Sequence, residues 1–139
     1  MNPQEAAEAM AAGAAYVDVR SVEEFELGHP AGAFNVPWQL RGASEPNPHF
    51  LHVVSAHFGR QAPLIVGCQS GVRSQRALSA LTEAGFQNVA EQSDGFGGRR
   101  DTFGRKLAEG WERVGLPIAT AAEPGRSYRE LLEQIATVV

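Results

Sequence analysis

The only cysteine of the chain, Cys68, lies in the run Val66-Gly-Cys-Gln-Ser-Gly-Val-Arg-Ser74. Ahead of it, Pro63 opens the apolar stretch Leu64-Ile65-Val66, the pattern of a strand buried on both faces. Behind it, Ala77, Leu78 and Leu81 recur three and four apart, which predicts a helix from about Ser74 with Gly85 as its stop. A thiol in that position sits at the carboxyl end of a strand and faces the amino end of a helix. Main-chain N–H groups of Gln69, Ser70, Gly71, Val72, Arg73 and Ser74 can form an anion-binding nest there, with Gly71 letting the backbone turn inward. The helix dipole and the Arg73 guanidinium add positive potential, and together these effects favour thiolate over thiol. The expected chemistry is nucleophilic: Cys68 attacks, Arg73 holds the loop or pairs with an anionic substrate, and Ser74 caps the helix.

Asp18 and Arg20 close a predicted strand over Ala14–Val19, at the end of the sheet where parallel strands bind ligands. They are expected to support the loop, with a local Arg20–Glu24 pair, four residues apart, as the alternative. His49, His52 and His57 lack zinc spacing and have no second cysteine to join them, so no metal is expected. His29 is expected to brace its turn, and Trp38 and Trp111 to pack. Gly95-Phe-Gly-Gly98 lacks the glycine spacing and the distant acid of a dinucleotide site. Arg99, Arg100, Arg105 and Lys106 form a basic group expected on a solvated loop.

These residues need elements to hold them. Pro3–Ala12 predicts a helix with Asn2 as its N-cap, and Ser21 with Glu24 has the spacing of a capping box for a second, short helix. Gly28–Gly32 is a turn cluster, Ala33–Val36 a short strand, and Arg41–Pro48 irregular. A helix follows over about His49–Gly59, then the Cys68 strand, loop and helix, then a strand over Phe86–Glu91. Beyond Asp94 a glycine-rich loop leads to a short helix over Lys106–Val114, and Gly115–Ile118 is expected to leave the domain body. Glu123–Gly125 is a linker before a last helix over Tyr128–Ile135. Strands separated by helices argue for a parallel sheet with right-handed crossovers.

Composition sets the class. At 139 residues, 43% hydrophobic and 20% charged, the chain fits one globular domain that buries roughly two thirds of its unfolded surface. A formal charge of −4 argues against nucleic acid or an acidic membrane as partner. One cysteine makes no internal disulfide, which suits a reducing compartment. With no charged-then-apolar leader and no apolar stretch near 20 residues, the expected location is cytoplasmic.

Several pieces together resemble one family, the rhodanese-like sulfurtransferases in their single-domain form. Asp18-Val-Arg20 with Glu24-Phe25 is similar to its entry motif, and Gly28-His-Pro-Ala-Gly-Ala-Phe-Asn-Val-Pro37 to its second signature. Cys68-Gln-Ser-Gly-Val-Arg-Ser74 resembles its active-site loop, and Gly95 to Trp111 with Gly115-Leu-Pro117 its closing segment. The likeness runs over about residues 1–120, so residues 1–120 are expected as the domain and 121–139 as a linker and short helical extension. It implies an α/β three-layer sandwich with about five parallel strands flanked by helices, and Cys68 at the base of a cradle-shaped loop. It also implies a reaction. The thiolate takes the outer sulfur of a small anionic donor such as thiosulfate, and the Cys68 persulfide passes it to a thiol, to cyanide or to a sulfur-carrier protein. No metal or organic cofactor takes part.

Three features depart from the family pattern. Gln69 and Ser70 are neutral where some thiosulfate-preferring relatives are basic. Arg99 to Gly110 lengthen the closing segment and are expected to form a flap near the mouth. The tail from Pro124 has no counterpart in the minimal domain. Two other functions use similar parts. A non-catalytic recognition domain would have no need of a reactive thiol. Thiol phosphatases and arsenate reductases cradle a tetrahedral oxyanion, with five residues between Cys and Arg in the phosphatases. Here four separate Cys68 from Arg73, a loop that suits a sulfur atom better than phosphate.

Overall fold

The first helix, α1 (Pro3–Ala11), starts at a reciprocal cap: Asn2 Oδ1 accepts the Glu5 N–H and Glu5 Oε1 accepts the Asn2 N–H, both at 2.8 Å. In this computed structural model, which describes residues 1–138, β1 (Ala15–Asp18) follows, and then α2 (Val22–Leu27) behind the expected Ser21–Glu24 box. Next come β2 (His29–Pro30), β3 (Phe34–Asn35), α3 (Phe50–His57), β4 (Leu64–Gly67), α4 (Val72–Glu83) and β5 (Val89–Gln92). The chain ends with β6 (Arg99–Arg100), β7 (Lys106–Ala108), a 3-10 turn at Trp111–Arg113, β8 (Ile118–Ala119) and α5 (Tyr128–Val138). No described helix is long and apolar enough to cross a membrane.

The central sheet has the order β3-β1-β4-β5 and is parallel throughout. Alternation along its strands sends side chains to two layers. Val17, Val19, Leu64, Val66 and Cys68 enter one core with Phe50, Val53 and Val54 of α3 and Ala77 and Leu81 of α4. Tyr16 and Ile65 face the other, against Ala6 of α1, Phe25 of α2 and Trp111. The result is the expected α/β sandwich of helices on both faces of a parallel sheet, with four strands where about five were expected.

Two stretches fold differently from expectation, each for a local reason. Lys106–Val114 was expected as a helix, but Lys106–Ala108 pairs antiparallel with Arg99–Arg100. Asp101 accounts for this: its Oδ1 accepts the N–H groups of Phe103 and Arg105, both at 2.9 Å, and closes the turn that brings Lys106–Ala108 back against Arg99–Arg100. Gly115–Ile118 does not leave the body. The buried Trp111 donates its indole N–H to Pro117 O at 2.9 Å, and Ala31 N–H donates to the same carbonyl at 3.1 Å. That holds Ile118–Ala119 antiparallel against His29–Pro30, inside what the sequence suggests is only a turn.

Past residue 120 the chain stays against the sheet. Asn35 N–H, on the outer side of β3, donates to Arg126 O at 3.0 Å. Tyr128 and Leu131 of α5 are buried in the α3–α4 core, and Tyr128 Oη accepts from Asn47 Nδ2 at 2.9 Å. Val139, the last residue of the expected extension, lies outside the described residues. Leu131 is 1% exposed. Leu131→Ala should therefore lower unfolding free energy by roughly 2–4 kcal/mol, as a core truncation does, and urea denaturation followed by circular dichroism measures it. A loss under about 0.5 kcal/mol, the level of a surface change, would mean that α5 is not part of the core.

Candidate active site

Strand register brings the candidate residues together. Asp18 pairs with Gly67 across β1 and β4, and Gly67 with Gln92 across β4 and β5, so three carboxyl strand ends lie side by side. Cys68 is the next residue. α4 begins at Val72 with Gly71 as N-cap, two residues earlier than expected, and Gly71 adopts φ +105° where a side chain would be strained. Ser74 is therefore not the cap but a buried residue of the first helical turn. Its N–H, at 3.3 Å, and that of Gly71, at 3.1 Å, both point at Cys68 Sγ. Among the described residues these are the two amides that meet the sulfur, a smaller nest than Gln69 to Ser74 would make. Cys68 lies deep for a residue expected to meet a small donor, at 2% exposure, because it keeps step with Leu64 and Val66. Converging N–H groups complement negative charge on the sulfur.

The turn after β5 holds the loop from above. Phe96 N–H donates to Cys68 O at 2.8 Å and Gly97 N–H to Gln69 O at 3.0 Å. Contact is so close that a Cβ on Gly95 would stand 2.4 Å from Gln69 O. Gln92 clamps the same turn, its Oε1 accepting Gly95 N–H at 2.9 Å and its Nε2 donating to Gly95 O at 3.0 Å. The glycines that superficially suggested a nucleotide site thus serve close main-chain approach.

Charged side chains brace the loop from below. Arg20, 3% exposed, donates Nε to Asp18 Oδ1 at 3.0 Å and Nη2 to Asp18 Oδ2 at 2.8 Å. It also reaches Gly28 O at 2.7 Å and Gln69 Oε1 at 3.3 Å, and lies over the Phe96 ring. Arg20 therefore pairs with Asp18 instead of Glu24. Glu24 takes Arg73, whose guanidinium binds both carboxylate oxygens, at 3.0 Å for Nη2 to Oε2. Burial pushes Glu24 up, but hydrogen bonds from Arg73 and Ser21 and the Arg73 charge outweigh it and leave the carboxyl at about 2. Burial, with the charge of Asp18, pushes the Tyr16 hydroxyl up, so it stays protonated. His29 braces its turn, Nδ1 lying 2.7 Å from Phe25 O with the rings stacked.

Two residues at the site escaped sequence reasoning. Gln92 is the clamp just described. Glu91 places Oε2 2.6 Å from Ser74 Oγ, which is itself 3.4 Å from Cys68 Sγ. The available signal was an acid at the end of the strand expected over Phe86–Glu91. A depression of about 350 Å³ opens over Gln69, Ser70 and Val72, with Gly97, Gly98 and Arg100 on its far wall. Of the lengthened segment, folded as the β6–β7 hairpin, Arg100 stands on that wall. A larger groove of about 540 Å³ between α2 and α5 has no lining residue from the Cys68 loop.

Comparison with known proteins gives one family. A model described as "Rhodanese-like domain" matches residues 2–98. The chain is 45% identical over 108 residues to "Thiosulfate sulfurtransferase 16, chloroplastic" of Arabidopsis thaliana, covering 76% of this chain and 80% of that protein. It is 36% identical over 112 residues to "Thiosulfate sulfurtransferase GlpE" of Ectopseudomonas mendocina, covering 81% and 94%. It spans about half the length of some other plant relatives it matches. Among solved structures, that of Rv0390 from M. tuberculosis superposes with a TM-score of 0.73 at 32% identity, over 87% of this chain and 96% of that one.

The Glu24–Arg73 pair gives the protein a pH signature. A carboxyl lowered on folding stabilises the native state above its unfolded value and loses that contribution as pH falls, here from 4.5 towards about 2. The carboxylate is 34% exposed, so solvent screening keeps the contribution small. Glu24→Gln should be less stable than wild type at neutral pH, with the gap closing as pH drops through that window. Urea midpoints across the range measure it, and a gap that stays constant would contradict the pairing.

Proposed function

The chain belongs to the rhodanese-like domain family, and from that premise we propose that it is a sulfurtransferase carrying sulfur on Cys68. The observation that carries this reading is the pair of amides on Cys68 Sγ, at 3.1 and 3.3 Å, at the carboxyl end of a central parallel strand. A sulfur held that way can bear negative charge as it attacks and as it leaves.

In the first half-reaction the Cys68 thiolate attacks the outer sulfur of a donor such as thiosulfate. A new S–S bond forms to Sγ, the donor S–S bond breaks, and its electron pair leaves with sulfite. In the second, a thiolate or cyanide attacks the terminal sulfur of the Cys68 persulfide, and the pair of that S–S bond returns to Sγ. The acceptor leaves as a persulfide or as thiocyanate. The depression over Gln69, Ser70 and Val72 is the approach for donor and acceptor, with Arg100 on its wall to attract an anion. Asp18 and Arg20 set the loop through Gln69, and Arg73 holds the start of α4 to α2 through Glu24.

The same geometry disfavours a phosphatase. A phosphate cradle needs its arginine aimed at the bound oxyanion, and Arg73 is committed to Glu24. The amides converging on the sulfur also favour a transferase over a recognition domain, which would have no use for a reactive thiol.

Mass spectrometry of the purified chain after thiosulfate treatment tests the proposal. Wild type should gain one sulfur, about 32 Da, and lose it again to cyanide, while Cys68→Ser gains nothing. A wild-type mass unchanged by every donor in a panel of thiosulfate, mercaptopyruvate and glutathione persulfide would overturn it.

A further inference from the structure

Cys68 is 2% exposed and Ser74 0%, so the sulfur and the hydroxyl beside it are governed by protein groups rather than by water. Ser74 Oγ has three neighbours that can share a proton with it: Cys68 Sγ at 3.4 Å, Gly71 O at 3.2 Å and Glu91 Oε2 at 2.6 Å. A hydroxyl carries one proton. A carboxylate at 2.6 Å wins it from a neutral carbonyl at 3.2 Å, because charge-assisted hydrogen bonds are shorter and about twice as strong. Ser74 therefore turns a lone pair to the sulfur, and only an S–H bond satisfies that contact. A bare thiolate would face the lone pair instead.

The other charged groups around Cys68 are already matched. Asp18 and Arg20, at the end of β1, pair with each other, as do Glu24 of α2 and Arg73 of α4. Tyr16 of β1 is neutral, since burial and the Asp18 charge push its hydroxyl up. At β5 the Met1 amino group donates to the Glu91 main-chain oxygen at 2.8 Å, and the Glu91 side chain goes to Ser74. The Glu91 charge and the Ser74 orientation act on the sulfur with the same sign, against the two amides.

We propose that Glu91, acting through Ser74, is a positioning residue that keeps the proton on the unloaded Cys68 sulfur. The two amides draw the sulfur towards the anion and the Glu91–Ser74 pair holds it back. When Cys68 attacks a donor such as thiosulfate, the Sγ proton leaves with the departing sulfite as hydrogensulfite, and the loaded Sγ, with no proton to offer Ser74, retains only the amide contacts. The inference takes its purpose from the sulfur-transfer reading, but its test does not need sulfur transfer.

The test is the pH dependence of Cys68 alkylation by iodoacetamide, a neutral probe, in the full chain. In Glu91→Ala the Ser74 proton is free to turn to Sγ as a third donor. Alkylation at about pH 6.5 should rise about tenfold and the profile should move to lower pH by about one unit. Glu91→Gln, which removes the charge but keeps an oxygen that can accept from Ser74, should shift the profile less. With Ser74→Ala as background, adding Glu91→Ala should give a smaller shift than in wild type, which isolates action through the hydroxyl. Melting temperatures identify any variant that misfolds, and Glu91→Gln carries the test if Glu91→Ala does. Unchanged or slower alkylation in the folded Glu91 variants would overturn the proposal, and an equal shift in the Ser74→Ala background would overturn the route through Ser74. A shifted profile in a protein that takes up no sulfur would sink the sulfur-transfer reading and leave this one standing.

Discussion

Two main-chain hydrogen bonds, Phe96 N–H to Cys68 O and Gly97 N–H to Gln69 O, join the turn after β5 to the loop after β4. Most of what is particular to this site follows from them. They demand that backbone approach backbone, so Gly95 and Gly97 have no room for a side chain. Phe96 is thereby laid against Arg20, and that arginine, fixed by Asp18, also reaches the loop at the Gln69 side chain. A loop held by main-chain and side-chain bonds together keeps its amides aimed at one point. Preorganisation of that kind is what lets dipoles stabilise charge without reorganising at the moment of reaction.

The electrostatic design is one of local cancellation. Asp18–Arg20 is almost fully buried and would be costly if either partner were lost. Glu24–Arg73 pairs nearer the surface. With both arginines paired, the groups in hydrogen-bond contact with Cys68 Sγ are two amides and one hydroxyl. Contact with the sulfur is in this way set by hydrogen-bond direction.

Local pattern carried much of this in the sequence. The apolar run Leu64–Val66, the glycine at 71 and the helical spacing from Ala77 located the strand, loop and helix, and the Asn2 N-cap and the Ser21–Glu24 capping box marked helix starts. What stayed hidden were partnerships between distant residues. Arg73 lies 49 positions from Glu24, and nothing near Arg73 distinguishes that partner from Asp18 or a ligand. Glu91 meets Ser74 only because β5 lies beside β4. The β6–β7 hairpin was missed because Asp101, a single turn-forming side chain, overrides the helical spacing around it. The depth of Cys68 was readable: period-two alternation from Leu64 and Val66 sends it inward, and the reactive-loop argument outweighed that signal.

The hydrogen bond from Asn35 N–H to Arg126 O concerns a different hazard. β3 is the last strand on its side of the sheet, and an open strand border is a template on which another chain can add. The segment around Arg126 occupies that border with main chain that is not itself a strand. Damage to it, by a protease cut or by a proline at position 126 that forces the backbone away, would uncover a sticky seam while leaving the Cys68 loop untouched. Molecules so altered would still hold their chemistry and would begin to self-associate.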